Sequence, residues 1–270
     1  MLVDTHAHLD FVEDLRGTIE RAKDAGVKKI ICIGTSIDAS KKCVEIAQKH
    51  SSSEIEIYAT CGIHPEDGKG DIEKYGENCI HELEKIVKSS DKVVGIGECG
   101  LDYYLTAGGK QMTTDEEKKG QIDLFKAQVE VASELNLPIV VHCRNAWGEI
   151  FDLLKVDGLQ SKLRGVFHSW TGDLEAYKRA ASSGFYVSFS GILTFKNAPK
   201  IVEVAKNADL ERIVLETDSP FLSPEPLRGR KNEPKNVRIV AEFLADLRDL
   251  PLEKIEDITS KNAKRLFKFN

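Results

Sequence analysis

No apolar run in the 270-residue sequence approaches the roughly 18 to 20 residues that a bilayer-spanning helix needs, so a soluble chain is expected. The N-terminus, MLVDTHAHLD, carries neither the basic nor the apolar segment of a secretory leader, and a cytoplasmic location follows as the expectation. The six cysteines, Cys32, Cys43, Cys61, Cys79, Cys99 and Cys143, contain no CxxC pair. That absence argues against a cysteine-rich structural zinc site, and in a reducing compartment buried free thiols are expected rather than a disulfide framework. Positive charge is not in excess: 38 Lys and Arg against 44 Asp and Glu leave a net charge of -6. Broad coating of nucleic acid rests on neutralising phosphates, so this balance excludes it while leaving room for a small basic pocket. Repeats, low-complexity tracts and Ser/Gly linkers are also missing, which makes one domain over residues 1–270 simpler than two.

What is present is 41% hydrophobic residues, too many for a disordered chain, arranged as short β-rich runs that alternate with amphipathic stretches. Strands are expected near Leu2 to His6, Lys29 to Ile33, Ile55 to Cys61, Lys92 to Gly97, Ile139 to His142, Gly165 to His168, Phe185 to Phe189 and Arg212 to Glu216. Between them, Val12, Leu15, Ile19 and Ala22 are spaced as one helix face, with an Asp10-x-x-Glu13 capping signal before them and Gly26 as a stop. Ile122, Phe125, Val129 and Ala132 repeat that spacing before Pro138, and Val237, Val240, Phe243, Leu244 and Leu247 form a similar face near the C-terminus. Eight such alternations fit an α/β fold of the (β/α)8 TIM-barrel type, with a doubly wound open sheet as the alternative.

Polar residues at the strand ends carry the chemistry. A single histidine is ordinarily a hydrogen-bonded structural residue, yet five of seven, His6, His8, His64, His142 and His168, fall at or just after these ends, while His50 and His81 lie in helical segments. Within His6-Ala7-His8 the i, i+2 spacing sends both imidazoles to one side of an extended chain, which makes half a metal site. Glu98 follows the apolar run Val93 to Gly97, and Asp218 follows Ile213 to Leu215. A carboxylate in such a place is costly unless it is paired or bound to a cation. His6, His8, Glu98, His142, His168 and Asp218 thus offer six ligands where one zinc takes three or four, which points to two cations sharing a carboxylate. The mixed nitrogen and oxygen set suits Zn, Mn or Fe, with Mg preferring more oxygen, and leaves the metal open.

Seven stretches, DTHAHLD at 4–10, GIHP at 62–65, GECGLDYY at 97–104, LPIVVHCRNA at 137–146, GVFHSW at 165–170, LETDSPFLSP at 215–224 and RGRKNEP at 228–234, span nearly the whole chain. In content and order they resemble the TatD family of metal-dependent deoxyribonucleases, within the amidohydrolase-like barrels. The resemblance implies that His6, His8, Glu98 and Asp218 hold one metal and that Glu98, His142 and His168 hold the other. It gives His64 the part of an active-site residue contacting phosphate or water. The loop from Thr106 to Met112 looks longer than is usual in the family, and Ser219 stands where Ala is common.

The expected reaction is hydrolysis of a DNA phosphodiester by a water activated between two divalent cations, with Glu98, Asp218 and His64 as catalytic residues and Asp218 accepting the proton. Arg144 and Arg228 are the candidate phosphate contacts, because arginine presents paired donors to phosphate oxygens, while Arg230 and Lys231 read as solvated surface. Tyr103, Tyr104, Trp147, Trp170 and Phe221 adjoin the motifs, as packing or as surfaces for bases. The family leads to a 3′-to-5′ exodeoxyribonuclease on single-stranded ends, with no obligate protein partner. A D-aminoacyl-tRNA deacylase, or another ester or amide hydrolase on the same barrel, is the alternative.

Overall fold

Eight short strands run parallel in the computed structural model, which describes residues 1–106, 109–155 and 163–269. They are β1 (Leu2–Ala7), β2 (Val27–Ile33), β3 (Glu56–Cys61), β4 (Val93–Asp102), β5 (Ile139–Arg144), β6 (Gly165–Phe167), β7 (Tyr186–Phe189) and β8 (Ile213–Leu215). Each pairs with its successor in sequence, in the order β1 to β8, and helices cover the crossovers. The first and last strands meet as well. Ala7 bridges Ser219, the Asp218 N–H donates to the His6 carbonyl at 2.9 Å, and the His8 N–H donates to the Ser219 carbonyl at 2.7 Å. The sheet is therefore a nearly closed (β/α)8 barrel and not the open alternative.

Every strand was anticipated, but β4 runs five residues past Gly97, to Asp102. The first helix also starts later than its sequence signal: Asp10 lies in a single 3-10 turn, and helix Leu15–Asp24 is capped by Asp14, whose side chain accepts from the Gly17 N–H. The long helix Asp115–Glu134 opens with a reciprocal Thr114 and Glu117 capping box. Of the loop after Tyr104, Ala107 and Gly108 lie outside the described residues. All six cysteines are buried as free thiols, and no helix among the described residues is long and apolar enough to cross a membrane.

Two apolar layers hold the barrel. Leu2, Ile30, Ile57, Val141, Phe167 and Leu215 pack outward against helix residues such as Ile19, Ile46 and Phe125. Val3, Ile31, Tyr58, Val94, Val140, Val166, Tyr186 and Val214, one from each strand, form a second cluster with Leu266, Phe267 and Phe269. Side chains of all eight strands meet only inside a closed barrel, so this cluster is its interior. The carboxyl ends of the strands are left to polar residues.

Candidate metal centre

Two irregularities in strand pairing aim the first candidate ligands. Between Asp4 and Ala7 of β1, and again between Ile96 and Cys99 of β4, two residues oppose one on the neighbouring strand. Such bulges re-aim a side chain. The first contains His6 and the second contains Glu98.

Glu98 is the hub. Its Oε2 stands 3.2 Å from His6 Nε2 and 3.9 Å from His8 Nε2, while its Oε1 stands 2.9 Å from His142 Nδ1, 2.7 Å from His168 Nε2 and 3.6 Å from His64 Nε2. Asp218 Oδ1 lies 3.2 Å from His8 Nε2 and 3.6 Å from His6 Nε2. The two imidazole nitrogens of the HxH motif face each other at 3.3 Å, and those of His142 and His168 at 3.2 Å. A cation bound at about 2.0 to 2.1 Å in a tetrahedron spaces its ligand atoms about 3.3 Å apart. The donor atoms therefore fit such ions in spacing as well as in kind.

Charge compensation explains the protonation of the cluster. Burial opposes a charge on His8, but the Asp218 hydrogen bond and the nearby charges of Asp218 and Glu98 push its pKa up to about 9. His168 is raised well above the ordinary histidine value against the same burial, chiefly by Glu98. Burial would raise Glu98 and Asp218, yet the surrounding histidines hold both carboxylates below their usual range. His64 goes the other way: burial drops it to about 4. Its Nδ1 accepts from the Glu66 N–H at 3.2 Å, so the neutral ring carries its proton on Nε2, toward Glu98. That tautomer donates to an oxygen and does not offer Nε2 to a metal.

The matched family model, described as TatD related DNase, covers residues 3–268. The chain belongs to the TatD family. It is 39% identical to the uncharacterized metal-dependent hydrolase YabD of Bacillus subtilis, over 100% of both chains. Its identity to the uncharacterized metal-dependent hydrolase YcfH of Escherichia coli K12 is 32%, over 98% of this chain and 95% of that one. Among solved structures, the TatD homolog YJJV of Escherichia coli K12 matches with a TM-score of 0.87 at 27% identity, over 100% of this chain and 98% of that chain. This TatD protein is accordingly a metal-dependent hydrolase.

Sequence reasoning passed over three acidic residues of this TatD site. Asp102 Oδ2 stands 3.1 Å from His142 Nε2, on the far side of the ring from Glu98. Glu216 accepts from the Ser169 N–H at 2.8 Å and lies 3.4 Å from His168 Nδ1. Asp4 accepts from the Thr217 hydroxyl at 2.6 Å and the Thr217 N–H at 2.9 Å, which ties β1 to the segment after β8. Burial pushes its carboxyl up to about 8. Asp102 and Glu216 obey the rule that found Asp218, an acid closing an apolar strand, and Asp4 sits inside the first motif.

The candidate phosphate contacts separate. Arg144 ends β5 with its guanidinium 3.6 Å from Asp102 and 4.7 Å from the centre of the Tyr104 ring. Arg228, on the loop after β8, packs 4.2 Å from the centre of the Phe195 ring. Arg230 and Lys231 are exposed, Lys231 lying 3.5 Å from Glu13.

Proposed function

We propose that the protein hydrolyses phosphodiester bonds of DNA at single-stranded ends, proceeding 3′ to 5′, with two divalent cations sharing Glu98. The observation that carries this reading is the division of Glu98: one oxygen faces His6 and His8, the other His142 and His168. His6, His8 and Asp218 would hold one ion with Glu98, and His142 and His168 the other. Such a pair, when bound, acidifies water and neutralises charge on the phosphate under attack.

The chain's own residues divide the remaining work. Asp218, ionised at neutral pH, orients the attacking water and takes its proton. His64 donates from Nε2 to a phosphate oxygen, a role supported by its uncharged state and by the Glu66 N–H fixing its tautomer. Arg144 reaches a second oxygen from the rim beside Asp102, and Arg228 meets the chain further out. The net charge of -6 supports an enzyme that grips a strand end rather than one that coats duplex. Six free thiols support action in the reducing cytoplasm.

The test is single-stranded DNA labelled at either the 5′ or the 3′ end, incubated with purified protein and Mg, Mn or Zn. Stepwise loss from the 3′ end, abolished in Glu98→Ala, is expected. Release of free D-amino acid from aminoacyl-tRNA without release of nucleotides would replace this reading with the deacylase one.

A further inference from the structure

The aromatic residues flanking the motifs sort into two kinds. Tyr103 and Trp170 are buried, and Trp147 packs among Phe151, Phe167 and Trp170. Tyr104 is 43% exposed, but its ring lies against the Arg144 guanidinium, 4.7 Å from the ring centre, and makes no contact with His8. Phe221 is 50% exposed, and Phe11, which no motif had drawn attention to, is 56% exposed. Their ring centres lie 5.7 Å and 6.0 Å from that of His8 and 6.1 Å from each other. From these contacts we infer that Phe11 and Phe221 form a platform on which the nucleobase next to the scissile phosphate stacks. The inference rests on the nucleic-acid reading given above.

Both rings are held by the backbone of the site itself. The Phe11 N–H donates to the His8 carbonyl at 3.2 Å, closing the 3-10 turn Leu9–Phe11. The Phe221 N–H donates to the Asp218 carbonyl at 2.8 Å. Asn232 then clamps that loop, its Nδ2 donating to the Phe221 carbonyl at 2.7 Å and to the Thr217 carbonyl at 2.9 Å. The platform is thus fixed relative to His8 and Asp218, and a base stacked there lies one sugar away from a phosphate held at these residues. Preorganised surfaces of this kind bind at a reduced ordering cost.

The geometry also defines how the base is met. The rings are inclined at 66°, an open V whose members are too close for a base to slip between them. A base therefore stacks on the open face of one ring rather than between the two. Neither ring offers a hydrogen-bonding group, and every base has a π-face, so the platform distinguishes a base from no base and is tolerant of which base is present.

The experiment compares oligonucleotides ending in an ordinary nucleotide with ones ending in an abasic tetrahydrofuran residue. Phe11→Ala and Phe221→Ala are expected to raise KM for ordinary ends about tenfold, in line with one lost stacking contact, with kcat unchanged. Abasic ends should respond to neither substitution, and Phe221→Tyr should restore the ordinary KM. The same labelled strands, made with phosphorothioate linkages that resist cleavage, are titrated by fluorescence anisotropy with the metal present. Tighter binding of base-bearing ends that depends on Phe221 supports the platform even if the strand is never hydrolysed, in which case the nuclease reading alone fails. Hydrolysis with equal KM for both ends, unaffected by either alanine, overturns the platform and leaves the nuclease reading standing. Equal, Phe-independent binding in that titration counts against it in the same way.

Discussion

Asp102 and Glu216 stand behind His142 and His168, on the side of each ring away from Glu98. A carboxylate in that position fixes the tautomer and strengthens the imidazole as a donor to a cation. Asp102→Asn keeps the shape and removes the charge. It should lower metal affinity or metal-supported turnover by about 10- to 100-fold, with the melting temperature nearly unchanged. Metal titration beside steady-state kinetics measures this, and full metal binding and turnover in the variant would contradict it. His8 makes a second prediction. With its pKa raised to about 9, it is protonated at neutral pH, so a cation held there as proposed would have to displace that proton. Affinity should therefore climb as pH rises toward about 9, with proton release visible by calorimetry in buffers of different ionisation enthalpy. A pH-independent affinity between pH 6.5 and 9 would be the contrary result. The residues legible in advance, His6, His8, His142, His168, Glu98 and Asp218, each adjoin an obvious apolar run. Asp102 does too, but its run contains Gly97, where the expected strand stops, and Gly100, and glycine inside a run suggests a turn as readily as a strand. Phe11 escaped notice because exposure of a lone aromatic is a property of the fold, not of the sequence around it.

β4 shows what those glycines do. They mark close approach to β5 and not a turn. Gly97 has φ +131° and Gly100 has φ +149°, conformations that L side chains rarely adopt. A Cβ on Gly100 would come within 2.0 Å of the His142 carbonyl oxygen, and one on Gly97 within 2.5 Å of that of Val140. The strand therefore continues through both, places Gly100 opposite His142, and brings Asp102 opposite Arg144. Gly100→Ala should destabilise the fold by on the order of 3 kcal/mol and weaken metal retention together, because the backbone it displaces carries His142. Gly120→Ala is the contrasting change, in the exposed part of helix Asp115–Glu134 with open space where its Cβ goes, and should stabilise by about 0.5 to 1 kcal/mol. Urea melts of both variants compare the two effects, and equal stability would show that strand spacing is not what Gly100 preserves. Periodicity located the strands, but it does not report the distance between neighbouring backbones.

Across the whole molecule, stability and chemistry occupy opposite parts of the barrel. The carboxyl ends of the strands gather the buried histidines and the carboxylates beside them, while the interior layer is apolar apart from the Lys29 ammonium and is completed by the residues that follow and end helix Leu252–Phe267. Phe269 stacks on Tyr58 with ring centres 5.0 Å apart, and the Lys29 ammonium lies 5.1 Å from the Phe269 ring centre. The eight alternating runs foretold a barrel with one mouth, but nothing local to the C-terminal sequence tied Phe269 to Tyr58, 211 positions earlier (269 − 58). A buried phenylalanine replaced by alanine leaves a cavity and typically costs about 3 to 5 kcal/mol. Phe269→Ala should therefore cost about 3 kcal/mol or more. The cost should appear as a lower melting temperature with kcat and KM unchanged below the transition, because Tyr58 and Phe269 pack in the interior layer and not among the Glu98 contacts. Thermal denaturation and steady-state kinetics on one preparation separate the two quantities. A fall in kcat at a temperature where the variant is fully folded would mean that the interior layer transmits its packing to the mouth, and that the division between the two ends is not real.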